Sequence, residues 1–136
     1  MPFDLKRSGN RERYLAAGLI CIFAVASIFA QGVKQKVRFA KGASSTTLKG
    51  AVIRGERDRY YLSAKKGQTM SLKITSEENN AVFQVYLPGE EETLPGAGES
   101  DDATDWSGQL PADAEYVIVV GGTRGNASYN LKVSVE

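Results

Sequence analysis

The sequence beyond residue 30 alternates apolar and polar residues in short runs. Met70, Leu72 and Ile74, for instance, fall on one face of an extended segment, and polar residues separate them. Such alternation buries one face of a strand and leaves the other face in water. Because no window of about ten residues after Ala30 keeps the helical period, this part of the chain is predicted to be all-β.

Turn signals separate these runs at intervals of about 8–12 residues, which is typical of antiparallel sandwiches and barrels. We therefore predict an antiparallel β-sandwich of jelly-roll type with seven or eight short strands. The run Tyr116–Val120 is apolar throughout, which indicates a central strand covered on both faces, and a final hairpin is expected to follow it. The candidate strands are Val33–Ala40, Leu48–Ile53, Tyr60–Ala64, Thr69–Thr75, Val82–Leu87, Asp105–Leu110, Tyr116–Val120 and Ser128–Val135.

The first thirty residues have the composition of a secretory signal peptide preceding this domain. The uncharged stretch Tyr14–Ala30 follows a basic start and is about 17 residues long, at the lower limit for spanning a bilayer. We expect a signal helix that is cleaved after Ala30, leaving residues 31–136 as one exported domain that is free of the membrane. An uncleaved N-terminal anchor is the alternative. The basic residues at the start are Lys6, Arg7, Arg11 and Arg13.

Composition excludes several kinds of chemistry. The chain has no histidine, and its single cysteine, Cys21, lies in the apolar stretch. Ser-His-Asp and Cys-His catalysis, histidine-ligated metals and a disulfide within the chain are therefore excluded. The formal net charge of +1 lacks the basic excess of a nucleic-acid-binding protein. We expect no enzyme activity, no cofactor or metal, and no nucleic-acid partner.

An acidic connection, Glu90–Asp105, is the longest irregular segment. Asp101, Asp102 and Asp105 offer the carboxylate oxygens that Ca²⁺ favours, although their spacing matches no complete calcium loop. Trp106 follows them and could stack on a sugar ring. The alternatives are a solubilising loop and a core tryptophan.

Cations stand out in two other connections. Arg124 lies among closely spaced glycines in Gly121–Asn126, where a tight turn would hold its guanidinium outward, suited to pairing with a carboxylate. The connection Arg54–Arg59 is also rich in arginine, but its charges alternate in sign. The alternative in both connections is an ordinary exposed arginine.

A series of short motifs extends in order over nearly the whole of residues 31–136. The motifs are Val37-Arg38-Phe39-Ala40-Lys41-Gly42-Ala43-Ser44-Ser45, Gly50, Tyr60, Ala64-Lys65-Lys66-Gly67-Gln68, Gly108-Gln109-Leu110-Pro111-Ala112, Tyr116, Thr123-Arg124 and Tyr129-Asn130-Leu131-Lys132-Val133. Together they resemble the periplasmic inhibitors of g-type lysozyme. Several also occur in the broader bacterial pre-peptidase C-terminal-like group of β-sandwiches.

The resemblance implies a periplasmic or secreted protein of a Gram-negative bacterium whose partner is a g-type lysozyme. Such muramidases cleave peptidoglycan in a cleft that contains a catalytic glutamate and further carboxylates. A cation on a loop could enter that cleft and exclude the substrate. In the family an arginine of the final loop does this, and Arg124 takes the matching position here, with Thr123 and Asn126 beside it.

This sequence also departs from the family pattern. A second family arginine is replaced by Ser128, and family tyrosines give way to charged residues around Arg57. Arg57 and Arg59 are the candidates to replace those tyrosines. The alternative function is an accessory domain of pre-peptidase type that binds a polysaccharide or a cell-surface protein, and a structural envelope protein is a further alternative.

Overall fold

The computed structural model describes residues 32–136, and the expected signal peptide lies outside the described residues. Eight strands form two four-stranded sheets, which confirms the predicted all-β sandwich. No helix of the described residues is long and apolar enough to cross a membrane. The strands are β1 (Lys34–Lys36), β2 (Ser45–Val52), β3 (Arg57–Ala64), β4 (Thr69–Ser76), β5 (Ala81–Tyr86), β6 (Asp105–Gln109), β7 (Ala114–Gly122) and β8 (Ala127–Val135).

Consecutive strands among these eight never pair with each other. The first sheet has the order β1-β3-β7-β5 and the second has the order β2-β8-β4-β6, so every connection passes from one sheet to the other. The predicted final hairpin is therefore wrong, because β7 pairs with β3 and β5 while β8 pairs with β2 and β4. A short polar turn between two alternating runs fits a crossing between sheets as well as a hairpin, since both bury one apolar face of each strand.

The first strand is shorter than predicted, and its pairing differs from the antiparallel expectation. It spans Lys34–Lys36 and runs parallel to β3, whereas the other pairs are antiparallel. Its residues are exposed at the edge of the first sheet. The chain then turns at Ala40–Ala43, where the Ala43 N–H donates to the Ala40 carbonyl at 2.8 Å, and crosses to the second sheet.

The core lies between the two sheets and follows the predicted alternation. Met70, Leu72 and Ile74 of β4 are all buried in it. The central strand β7 is buried on both faces, as expected: Tyr116, Ile118 and Val120 pack in the main core. On the outer face, Val117 and Val119 pack with Tyr86 and the partly buried Tyr61.

A buried carboxylate, Asp58, lies at the start of β3 and joins three parts of the chain. It is 1% exposed, and its oxygens accept the Val33 N–H at 2.9 Å and the Tyr129 hydroxyl at 2.6 Å. The Tyr129 oxygen lies 2.6 Å from the Tyr60 hydroxyl, which donates to it since Tyr129 donates to Asp58. A Cβ at Gly50 would overlap the Tyr129 hydroxyl, so β2 leaves room for this chain of hydrogen bonds.

This network predicts unequal effects for two conservative substitutions. Tyr129→Phe removes one donor from the buried carboxylate and leaves the Tyr60 hydroxyl without its acceptor, so we expect a loss of about 2–3 kcal/mol in the free energy of unfolding. Tyr60→Phe, the matched control, leaves Asp58 bonded and should cost about 1 kcal/mol. Denaturant unfolding of both variants measures the difference, and equal losses would contradict this account.

The same network predicts how stability depends on pH. Burial, together with the hydrogen bond to Asp58, raises the pKa of Tyr129, and burial also raises the pKa of Tyr60. The folded state therefore keeps protons that the unfolded state releases above about pH 10, so stability is full below that pH and falls above it. We expect a slope of up to about 1.4 kcal/mol per pH unit for each tyrosine, and a smaller slope in Tyr129→Phe. A stability that is flat between pH 9 and 11, measured by urea unfolding, would refute the assignment.

Candidate functional site

Three turns meet at one end of the sandwich, which we call the three-turn end. They are Ile53–Glu56 between β2 and β3, Glu77–Asn80 between β4 and β5, and Thr123–Asn126 between β7 and β8. The strand register places the first residues of β3 and β5 opposite the last residues of β7, and the last residue of β2 opposite the first residue of β8. The two cation-bearing connections of the sequence therefore lie at the same end.

Arg124 is exposed in its turn, and its guanidinium has a defined position. The Nη2 group donates to the backbone carbonyl of Glu78 at 2.7 Å. Within residues 32–136, no carboxylate oxygen lies within 4.0 Å of this guanidinium. The positive charge is thus fixed against a neighbouring turn but remains available to an anionic group of a partner.

Asn80 determines the shape of the turn that carries Arg124. Its side chain is 2% exposed, and Nδ2 donates to the carbonyls of Arg124 at 3.0 Å and Asn126 at 2.9 Å. The backbone carbonyl of Asn80 accepts the Thr123 N–H at 2.8 Å. Three polar groups of the turn are therefore satisfied by one buried residue, and the turn is held rigidly above it.

A side-chain hydrogen bond joins the two cation-bearing turns directly. Asn126 Oδ1 accepts the backbone N–H of Arg54 at 2.8 Å.

Close packing also supports the Arg124 turn, because a Cβ at Gly122 would lie 3.0 Å from the carbonyl oxygen of Gly125. Gly122 ends β7, so the sequence-based connection Gly121–Asn126 is shortened to four residues.

Sequence reasoning missed two features of this end. Asn80 is one of them, because no pattern in the sequence signals that it is buried beneath the neighbouring turn. The sequence predicts Ile53 as the end of a strand, but this residue begins a turn and is 57% exposed. It and Val33 are the exposed large hydrophobic residues of the described chain, and Val33 lies at the same end, beside the start of β3.

The predicted contacts Arg57 and Arg59 do not lie in a loop but within β3. Arg57 extends over the outer face of the first sheet, where Nη1 lies 3.4 Å from Gln84 Oε1 and 3.8 Å from Glu99 Oε1. Arg59 Nε donates to Glu90 Oε1 at 3.0 Å. Both arginines therefore bind the acidic connection to the sheet, and only Arg57 borders the three-turn end.

The acidic candidates are not assembled into a metal site in the described part of the chain. No three Asp, Glu, Cys or His side chains among residues 32–136 lie close enough together to hold an ion. Asp101 Oδ2 accepts the Gly98 N–H at 2.7 Å, while Asp102 and Asp105 are exposed.

Trp106, the candidate for stacking on a sugar, is half-buried against the core. Its indole N–H donates to the Pro95 carbonyl at 2.9 Å. The ring lies against Gly108, where a Cβ would overlap it. This packing gives Trp106 a structural part in the edge of the second sheet.

Fold and site together define a β-sandwich whose distinctive surface is a set of fixed turns at one end, as in a protein-binding module. The chain is 32% identical over 134 residues to the inhibitor of g-type lysozyme from Escherichia coli K12, covering 88% of this chain and 94% of that protein. It therefore belongs to the family of g-type lysozyme inhibitors, as its motifs suggested, and this is a family of inhibitors rather than of enzymes.

Solved structures agree with this assignment. The periplasmic g-type lysozyme inhibitor PliG of Aeromonas hydrophila is 35% identical, with a TM-score of 0.65 and coverage of 78% of this chain and 98% of that one. A PliG mutant from Escherichia coli is 26% identical, with a TM-score of 0.63 and coverage of 77% and 99%. The pre-peptidase C-terminal domain of a Bacillus anthracis collagenase, 15% identical with a TM-score of 0.54 and coverage of 77% and 96%, shares the fold alone. No family model matches the chain.

The contacts of Asn80 yield a prediction about the Arg124 turn. Asn80→Ala removes two hydrogen bonds from the turn and leaves the carbonyls of Arg124 and Asn126 without this donor, so we expect a loss of about 1–3 kcal/mol in unfolding free energy and, because the turn loosens, faster amide exchange at Thr123. The control is Asn79→Gly, because Asn79 is exposed with φ of 53°, a conformation that glycine adopts without strain. Hydrogen exchange followed by NMR compares the two, and unchanged protection of Thr123 in Asn80→Ala would disprove the role of Asn80.

Proposed function

We propose that this protein is an exported, periplasmic inhibitor of g-type lysozyme that binds the enzyme through the three-turn end, with Arg124 as the principal contact. The signal peptide over residues 1–30, cleaved after Ala30, belongs to this proposal. The partner is a protein, and the inhibitor acts by occupying the muramidase cleft and excluding the substrate.

One observation carries the proposal: Arg124 is exposed, free of carboxylates in the described part of the chain, and held on a turn that Asn80 fixes from below. A cation that is already ordered loses little conformational entropy on binding. A guanidinium inserted among carboxylates forms short, charge-assisted hydrogen bonds, which are stronger than neutral ones. The turn therefore suits insertion into an acidic cleft.

Neighbouring residues extend the contact surface. Thr123 and Asn126 flank Arg124, and the bond from Arg54 to Asn126 keeps the turn that contains the exposed Ile53 alongside. An apolar residue beside a central charged contact excludes water from it, which strengthens the charge pairing. Arg57 lies at the margin of this surface and Arg59 further along β3, so we assign both a secondary part.

The proposal predicts a large effect of one substitution. The purified protein should slow the lysis of bacterial cell walls by a g-type lysozyme, and Arg124→Ala should weaken inhibition by about 2 kcal/mol or more, equivalent to about thirtyfold. The protein should remain as stable as before, because the Arg124 side chain is exposed and makes one hydrogen bond to backbone.

Arg38→Ala is the matched control, since Arg38 is exposed at the opposite end of the sandwich and carries the same charge. It should leave the inhibition constant unchanged. No slowing of lysis at micromolar protein would refute the proposed function. Equal effects of Arg38→Ala and Arg124→Ala would refute the assignment of the contact.

A further inference from the structure

The outer face of the second sheet presents hydroxyl, amide and ammonium groups in register. Alternate residues of β2, β8, β4 and β6 point to this face, and it bears no large apolar side chain. Two of its rows run across all four strands. In the order β2, β8, β4, β6, one row is Ser45, Ser134, Ser71 and Ser107, and the next is Thr47, Lys132, Lys73 and Asp105.

The second row places two lysines directly opposite each other. Lys132 of β8 and Lys73 of β4 are cross-strand neighbours, an arrangement that is destabilising because their charges repel at about 5 Å between Cβ atoms. Lys49 lies two residues beyond Thr47 on the same face of β2, opposite Asn130. None of the three has a carboxylate within 4.0 Å among residues 32–136, whereas the ion pairs of that part of the chain all involve the first sheet.

A depression of about 480 Å³ opens at the Lys49 corner of this face. Residues with hydroxyl and amide groups line it together with Lys49 and Glu77. The polar groups suit a sugar ring, whose hydroxyls need several donors and acceptors at once. The residues that line it are Lys49, Gly50, Thr75, Ser76, Glu77, Ser128, Tyr129 and Asn130.

Charge decides which glycan fits. The three lysines of this face carry positive charge. The negative charges are Asp105 within the face and Glu77 and Glu136 at its two ends. Between the two ends the three ammonium groups outnumber the single carboxylate of Asp105, and this local excess of positive charge favours an anionic ligand. A flat polar face without apolar anchors suits an extended chain of acidic sugars better than it suits a protein, since protein interfaces concentrate aromatic and apolar residues at their centre.

We propose that the outer face of the second sheet binds an acidic polysaccharide. One carboxylate of the glycan pairs with Lys49 over the depression, and the next pairs with Lys73 and Lys132. This site adjoins the three-turn end at Glu77, but its three lysines lie in strands outside the three turns, so it does not depend on lysozyme inhibition. It would hold the inhibitor on an anionic glycan layer while the turns remain free.

Binding of a polyuronate tests the proposal. The protein is titrated with alginate oligosaccharides, with neutral dextran of similar length as the reference ligand. Lys49→Gln/Lys132→Gln should weaken alginate binding by about tenfold, since two charge contacts are lost. The matched control is Lys65→Gln/Lys66→Gln, which removes the same charge from the turn between β3 and β4 at the opposite end.

The location of binding is read from amide chemical shifts in the same titration. Shifts should concentrate in β2, β4 and β8 and be absent from Thr123–Asn126, and binding should decline with added salt. Lys49→Gln/Lys132→Gln should inhibit lysozyme as the unchanged protein does. The proposal is overturned if both double variants lose the same alginate affinity, or if dextran binds as tightly as alginate. It is also overturned if anionic phospholipid vesicles bind more tightly than alginate, or if Lys49→Gln/Lys132→Gln alters lysozyme inhibition.

Discussion

The crossing of every connection between the two sheets is the constraint on which the rest of this structure depends. Each strand contributes one face to a single core, and its sequence neighbours lie in the opposite sheet. Turns at each end therefore bridge the full thickness of the core, about 10 Å between sheets, instead of closing hairpins at an edge. As a result, three turns that are far apart in sequence lie side by side at one end, and a buried Asp58 near that end joins β3, β8 and the start of the described chain.

This arrangement explains how a chain without disulfides presents a fixed charge. Asn80 from one turn satisfies the backbone of the next, and Asn126 accepts a hydrogen bond from the third. Two asparagines thus replace the covalent links that small secreted domains often use. The Arg124 guanidinium is ordered by its bond to the Glu78 carbonyl, and its residue is exposed to solvent.

Much of the fold was predictable from the sequence, because the alternation of Met70, Leu72 and Ile74 and the apolar run of β7 reflect burial directly. The family was also predictable from its motifs, and several motif residues prove to be structural: Gly50, Tyr60 and Tyr129 meet in one buried network. Strand pairing was not predictable, since a four-residue turn fits a hairpin and a crossing equally well. The burial of Asn80 and the contacts of Arg57 and Arg59 with the acidic connection depend on segments distant in sequence, which no local pattern reveals.

The central claim is that the three-turn end contacts the lysozyme. Hydrogen exchange of the inhibitor, measured alone and in complex with a g-type lysozyme, tests this most directly. Our account predicts added protection in Ile53–Glu56, Glu77–Asn80 and Thr123–Asn126, and unchanged exchange at the opposite end around Lys65–Gln68. Protection confined to the opposite end, or to the outer face of either sheet, would contradict it.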